Sequence, residues 1–166
     1  NMDNYVFLKS KLIRNLRESE YAVLNYDDER VRQLAKVTRG KVIWFSALQQ
    51  VEGAYVEGGS VYFNGVKYFG VENMTVGGLH NIYNALACTA VSAVLGLNKE
   101  ASSVAICKFK GVKHRIQLVG EVNGVTYIND SKGTNVDATV KAVDSATRPT
   151  VLLLGGKDKG YDYTPL

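Results

Sequence analysis

The sequence predicts an α/β chain in two parts. A βαβ unit comes first, followed by a small antiparallel meander and helices. The opening of a doubly wound domain comes second. Three observations carry this expectation. Two short apolar runs, at Tyr21 to Asn25 and Lys41 to Ser46, flank a helical stretch. Three short β-like segments then follow, punctuated by Gly58-Gly59 and Asn64-Gly65. Finally, a continuous apolar run at Thr150 to Leu154 leads straight into the glycine-rich Gly155 to Gly160. The 166 residues are 46% hydrophobic and 22% charged with 2 prolines, which excludes a disordered, collagen-like or low-complexity chain.

The elements follow in order. Residues 5 to 17 read as an amphipathic helix, with Tyr5, Leu8, Leu12, Ile13 and Leu16 on one face and Lys9, Arg14 and Arg17 on the other. Tyr21 to Asn25 has strand character, and Asp27 or Asp28 can cap a helix that turns Val31, Leu34 and Ala35 inward. Lys41 to Ser46 is the next strand, and the strand–helix–strand spacing makes the two strands parallel. Ala54 to Glu57, Ser60 to Phe63 and Val66 to Phe69 form the meander, since Gly-Gly and Asn-Gly suit two-residue hairpins. A long helix runs from about His80 to Leu95, with Gly96 as its stop. Asn98 caps a shorter helix to about Lys108. Lys108 to Lys113 reads as a basic linker. Beyond it, Ile116 to Val122 and Val125 to Asn129 pair across Asn123-Gly124, and a helix carries Val136, Val140 and Val143 inward. Thr150 to Leu154 reads as a buried parallel strand. The pattern halts after that strand with no helix to cover it, which gives the expectation of a domain cut short.

Several function classes drop out. The apolar run Ala85 to Leu97 is too short to span a bilayer, and the N-terminus has no signal-peptide pattern, so the protein is expected in the cytosol or with its start missing. Cys88 and Cys107 lie among apolar residues outside any zinc spacing and are expected as buried, reduced thiols. The net charge of +4 is spread out, which argues against a nucleic-acid tail and favours small anionic ligands.

Candidate chemistry sits at three places. Asp130 to Asn135 (DSKGTN) runs into a helix N-terminus whose free N–H groups favour an anion, with Lys132 adding charge and Ser131 and Thr134 adding hydroxyls. If Val125 to Asn129 and Thr150 to Leu154 are parallel neighbours, this loop and Gly155 to Gly160, with Lys157 and Lys159, face one crevice. The plain alternative is a Thr134 or Asn135 helix cap with solvated lysines. Asn81 and Asn84, at i and i+3, share a face of a first helical turn and could read a base edge, or Asn81 could simply cap the helix. Arg115, after His114, could clamp a phosphate. No GxxxxGK[ST], GxGxxG or GxSxG motif is present.

Taken in order, GGLHNIYNALA (Gly77 to Ala87), FKGVKHR (Phe109 to Arg115), INDSKGTN (Ile128 to Asn135) and LLLGGKDKGYDY (Leu152 to Tyr163) resemble the Mur ligases. The resemblance is closest to the D-glutamate-adding, MurD-type members. It extends weakly back to Tyr5. It implies that residues 1–110 are the C-terminal part of a central ATP-binding domain. It likewise implies that residues 111–166 are the first part of a Rossmann-like, amino-acid-binding C-terminal domain.

The resemblance implies a role for each matching residue. Asn81 and Asn84 are placed at the nucleotide base, Asp130 at the ribose, and Arg115 at the ATP phosphates. Lys132 is placed near the phosphates or acyl-phosphate oxygens, and Thr134 and Lys159 at the carboxylates of D-glutamate. His80 and His114 match motif positions with structural roles. Arg115 and Lys132 are the implied catalytic residues. The implied reaction is ATP-dependent ligation of D-glutamate to UDP-N-acetylmuramoyl-L-alanine through an acyl phosphate, in cytoplasmic peptidoglycan precursor synthesis. Neither nucleic acid, membrane nor an obligate protein partner is implied. The phosphate-binding loop and the Mg2+ ligands are expected before Asn1 and the rest of the amino-acid pocket after Leu166, so no metal site is expected within the chain. The chain alone is expected to be inactive. Two alternatives stand beside this reading: a related Mur or folylpolyglutamate-type ligase using another amino acid, and a non-catalytic nucleotide- or anion-binding module.

Overall fold

In a computed structural model, residues 2–158 and 160–166 are described. The chain divides into two compact units, the first ending at Phe109 and the second beginning at Lys110.

The first unit is built on one five-stranded sheet. Its elements are α1 (Met2–Arg14), β1 (Tyr21–Asn25), α2 (Glu29–Leu34), β2 (Lys41–Ser46), β3 (Gly53–Glu57), β4 (Ser60–Phe63), β5 (Val66–Gly70), α3 (Leu79–Val94) and α4 (Lys99–Cys107). The strands lie in sequence order. β1, β2 and β3 are parallel, and β3, β4 and β5 are antiparallel. The expected βαβ unit and meander are therefore both present, joined in one continuous sheet. The join is the parallel pairing of Trp44 with Gly53, made across a short loop instead of a helical crossover.

Local chemistry explains most of these elements. Asp28, not Asp27, caps α2, its Oδ1 accepting from the Val31 N–H at 3.1 Å. Asn98 caps α4 in the same way, accepting from the Ala101 N–H at 2.8 Å. Asn64 and Gly65 both have positive φ, as a two-residue hairpin turn requires. Gly96, at φ +66°, terminates α3. The core lies between the sheet and α3, where Ala54, Val61 and Phe69 meet Ala85, Leu86 and Ala90.

Two expectations for this unit are corrected. Helix α1 begins earlier than residue 5 and ends at Arg14, and most of its expected inner face is exposed: Tyr5, Leu8 and Leu12 lie open to solvent, while Ile13 and Leu16 are half-buried. Its sheltered positions are Val6, Ser10 and Ile13, with Ser10 fully buried. The small serine, its hydroxyl turned back to the Phe7 carbonyl at 2.7 Å, allows close approach of a helix that an apolar count would turn the other way. Cys88 is exposed and Cys107 only half-buried, because α3 buries the stripe Ala85, Leu86, Thr89, Ala90 and Ser92 and leaves Cys88 on its outer side.

The second unit contains β6 (Gln117–Val122), β7 (Val125–Asn129) and α5 (Val136–Asp144). β6 and β7 form the expected antiparallel hairpin, with Asn123 and Gly124 at positive φ. Thr150 to Leu154 is not a buried parallel strand. It has no regular structure, and Val151 and Leu153 are 88% and 89% exposed. A parallel strand needs a hydrogen-bonded neighbour and cover on both faces. Among the described residues, the sheet here consists of the two strands of the hairpin, and neither pairs with this segment.

Candidate functional site

Two clusters of candidate residues take shape, one in each unit. In the first unit, α3 starts at Gly78 (φ +93°) with no side-chain cap. Asn81 is not a helix cap of the usual kind. Its Nδ2 donates back to the Gly77 carbonyl at 2.7 Å, bracing the turn ahead of the helix. Asn84 is exposed one turn along, and His80 is also exposed. The two amides lie on the first two turns of α3, a helix that packs against β1, β2 and β3.

Beneath those turns lies a polar network that residue pattern did not reveal. Asp27 follows the carboxyl end of β1. Its Oδ1 accepts from the Ser46 hydroxyl at 2.6 Å, at the end of β2. Its Oδ2 accepts from the Ala47 N–H at 2.8 Å and from the Tyr83 hydroxyl at 2.9 Å. Tyr83 stands between Asn81 and Asn84. Burial, and then the Asp27 carboxylate it donates to, push its phenol up to about 12. The available signal was the pair Asp27-Asp28: a helix has one N-cap, so the other carboxylate needed different donors.

In the second unit, two loops are tied together. The Lys132 N–H donates to the His114 carbonyl at 2.9 Å, and the Ile116 N–H to Asp130 Oδ1 at 3.0 Å. Asn129 Nδ2 and His114 Nδ1 lie 3.0 Å apart. His114 and Ile116, on either side of Arg115, have φ +65° and +44°. A left-handed β-branched residue costs about 1–3 kcal/mol and persists only where its surroundings over-determine it. Here those surroundings are the two cross-loop hydrogen bonds. They leave the side chains of Arg115 and Lys132 exposed. Asn135 caps α5, accepting from the Ala138 N–H at 2.8 Å, so Thr134 is free of that duty and exposed.

The structure thus brings Arg115, Asp130 and Lys132 onto one loop pair, with Thr134 close behind in sequence. It does not build the crevice expected between parallel strands, because Thr150 to Leu154 forms no strand. Lys159 lies outside the described residues. Among the described residues, no three His, Cys, Asp or Glu side chains converge as a metal site.

Residues 1–92 match the Mur ligase middle domain. The chain belongs to the Mur ligase family. Its relatives include the UDP-N-acetylmuramoylalanine--D-glutamate ligase of Caldanaerobacter subterraneus subsp. tengcongensis, 42% identical over 162 residues, covering 97% of this chain and 36% of that protein. The ligase of the same name from Ligilactobacillus salivarius is 39% identical over 165 residues, covering 99% and 36%. This Mur ligase chain therefore spans just over a third of the length of these relatives. Among solved structures, MurF from Acinetobacter baumannii matches with a TM-score of 0.67 at 16% identity, over 89% of this chain and 34% of that one. A UDP-N-acetylmuramoyl-L-alanyl-D-glutamate--2,6-diaminopimelate ligase matches with a TM-score of 0.62 at 19% identity, over 87% and 32%. At those identities the likeness is one of fold: an α/β architecture with a mixed five-stranded sheet.

Proposed function

We propose that this chain is part of an ATP-dependent ligase that joins D-glutamate to UDP-N-acetylmuramoyl-L-alanine in cytoplasmic peptidoglycan precursor synthesis. Residues 1–110 belong, on this reading, to the central ATP-binding domain, and residues 111–166 open a Rossmann-like C-terminal domain. One observation carries the proposal: relatives of about 40% identity over nearly the whole chain bear the D-glutamate ligase name. The N-terminal part of α3 supports the nucleotide role. Tyr83, which adjoins Asn84, bonds to Asp27 just beyond the carboxyl end of β1, and the carboxyl ends of strands are where open α/β sheets bind ligands.

ATP activates the substrate carboxylate as an acyl phosphate. The work of this chain is to hold and orient. Asn84, with Asn81, meets the base edge. Asp130 commits Oδ1 to the Ile116 N–H and offers Oδ2 to a ribose hydroxyl. Arg115 and Lys132 present fixed positive charge to phosphoryl oxygens, where charge accumulates as the phosphoryl group moves. Thr134 and Lys159 meet the D-glutamate carboxylates. On the same reading, the Mg2+ ligands lie in other parts of the ligase.

The test is phosphate release by the intact protein that carries this chain, with ATP, UDP-N-acetylmuramoyl-L-alanine and a panel of amino acids. Release that depends on D-glutamate supports the proposal. Release with a different amino acid moves the protein to another branch of the family, and nucleotide binding without turnover makes it a binding module. Lys132→Ala is expected to lower kcat by at least about a hundredfold, the scale of losing one charge-stabilising donor. Unchanged kcat removes Lys132 from the reaction.

A further inference from the structure

Asp27 gathers three donors from three separate elements. Through Ser46 and the Ala47 N–H it ties the ends of β1 and β2 together, and through Tyr83 it ties both to the N-terminal part of α3. That end of the helix has no capping side chain of its own. The Asn81 bond to the Gly77 carbonyl restrains only the adjoining loop. The Tyr83–Asp27 bond therefore joins the start of α3 to the sheet and, together with the packing of Ala85, Leu86 and Ala90, restrains its rotation.

Rotation matters because Asn84 adjoins Tyr83. Side-chain tips lie about 5–6 Å from a helix axis, so a rotation of 10° moves them by about 1 Å. Displacements of that size are enough to spoil paired hydrogen bonds to a planar ligand.

We propose that Asp27, acting through Tyr83, is a positioning residue that fixes the rotation of α3 so that Asn81 and Asn84 meet the base of the nucleotide. The inference rests on the nucleotide role given above to those two amides. Neither Asp27 nor Tyr83 touches the nucleotide. The phenol, raised to about 12, remains a hydrogen-bond donor at all physiological pH values.

The test is a kinetic cycle in the intact protein. Tyr83→Phe removes the hydroxyl and keeps the ring, including its edge contact with Phe45 at 6.4 Å between centroids. The expected result is a rise in the KM for ATP of about fivefold to tenfold, the scale of one lost hydrogen bond. The kcat and the KM for the UDP-linked substrate should stay within about twofold. Asp27→Asn, which leaves one acceptor oxygen for three donors, should shift the KM for ATP in the same direction. It should also lower the pH at which the Tyr83 phenolate absorption appears.

If Tyr83 acts through the two amides, then adding Tyr83→Phe to the Asn81→Ala/Asn84→Ala double variant leaves ATP binding no worse than in that double variant. Multiplying effects overturn the proposal, as does a Tyr83→Phe variant whose kinetic constants all decline together or stay unchanged. An Asn84→Ala variant with unaltered KM for ATP overturns the nucleotide reading itself, and that result is distinct from the others.

Discussion

At Gly53 the chain returns from β2 to run beside it, and the backbone adopts φ +139°. A Cβ at that position would overlap the Trp44 carbonyl oxygen, which is backbone and cannot move aside. Gly53→Ala is expected to cost at least about 2 kcal/mol, from steric overlap and a left-handed φ together, read as a lower urea midpoint. Tyr83 gives a prediction in pH. Its phenol titrates at about 12 in the folded chain and near 10 when unfolded. Between those values the unfolded state has lost a proton that the folded state keeps. The stabilisation is therefore complete below about pH 10 and is lost as pH rises through about 12. Urea midpoints measured at about pH 9 and about pH 11.5 should fall with pH in the parent chain, and fall less in Tyr83→Phe. Equal slopes in both would show that Tyr83 is not the group responsible.

Helix caps and turns are where sequence and structure agree most closely, because their chemistry is local. Asn98 satisfies the Ala101 N–H at an exposed helix start, so Asn98→Ala should cost about 1 kcal/mol in a denaturant titration. A loss below a few tenths would mean that α4 is held by packing alone. The Asn-Gly turns were legible for the same reason: each has the positive φ pair that Asn-Gly tolerates best. Hairpin register then carries information forward. Here, however, a bulge between Leu118 and Gly120 shifts the register set by the turn by one residue, so that Gln117 pairs with Asn129 and residues 114–116 fall beside 130–132, a juxtaposition the turn alone did not imply. What was not legible depends on partners distant in sequence. The buried face of α1 is set by what it packs on, and the count of apolar residues pointed to Tyr5, Leu8 and Leu12 instead. An apolar run such as Thr150 to Leu154 encodes a preference for a buried sheet but cannot supply the neighbouring strand. The Asp27 network joins residues 19 and 56 positions apart, beyond the reach of any spacing rule.

Across the whole chain, the two units differ in how their apolar residues are used. The first has a buried centre in which Ala54, Val61, Leu86 and Ala90 are at 0% exposure. In the second, among the described residues from Lys110 onward, none is buried. Segments with few buried apolar contacts open at low free-energy cost, and exposed connecting backbone is where proteases cut first. Between the end of α4 at Cys107 and the start of β6 at Gln117 there is no regular element, and Lys108, Lys110, Lys113 and Arg115 are all exposed. Limited trypsin digestion is therefore expected to cut first between Lys108 and Arg115. The fragment up to that point should persist, while the remainder is trimmed further at Lys132 and Lys141, which are exposed as well. Mass spectrometry of the early products reads the order directly. A first cut within α3 or the five-stranded sheet would show that the first unit is not the stable core its buried residues imply.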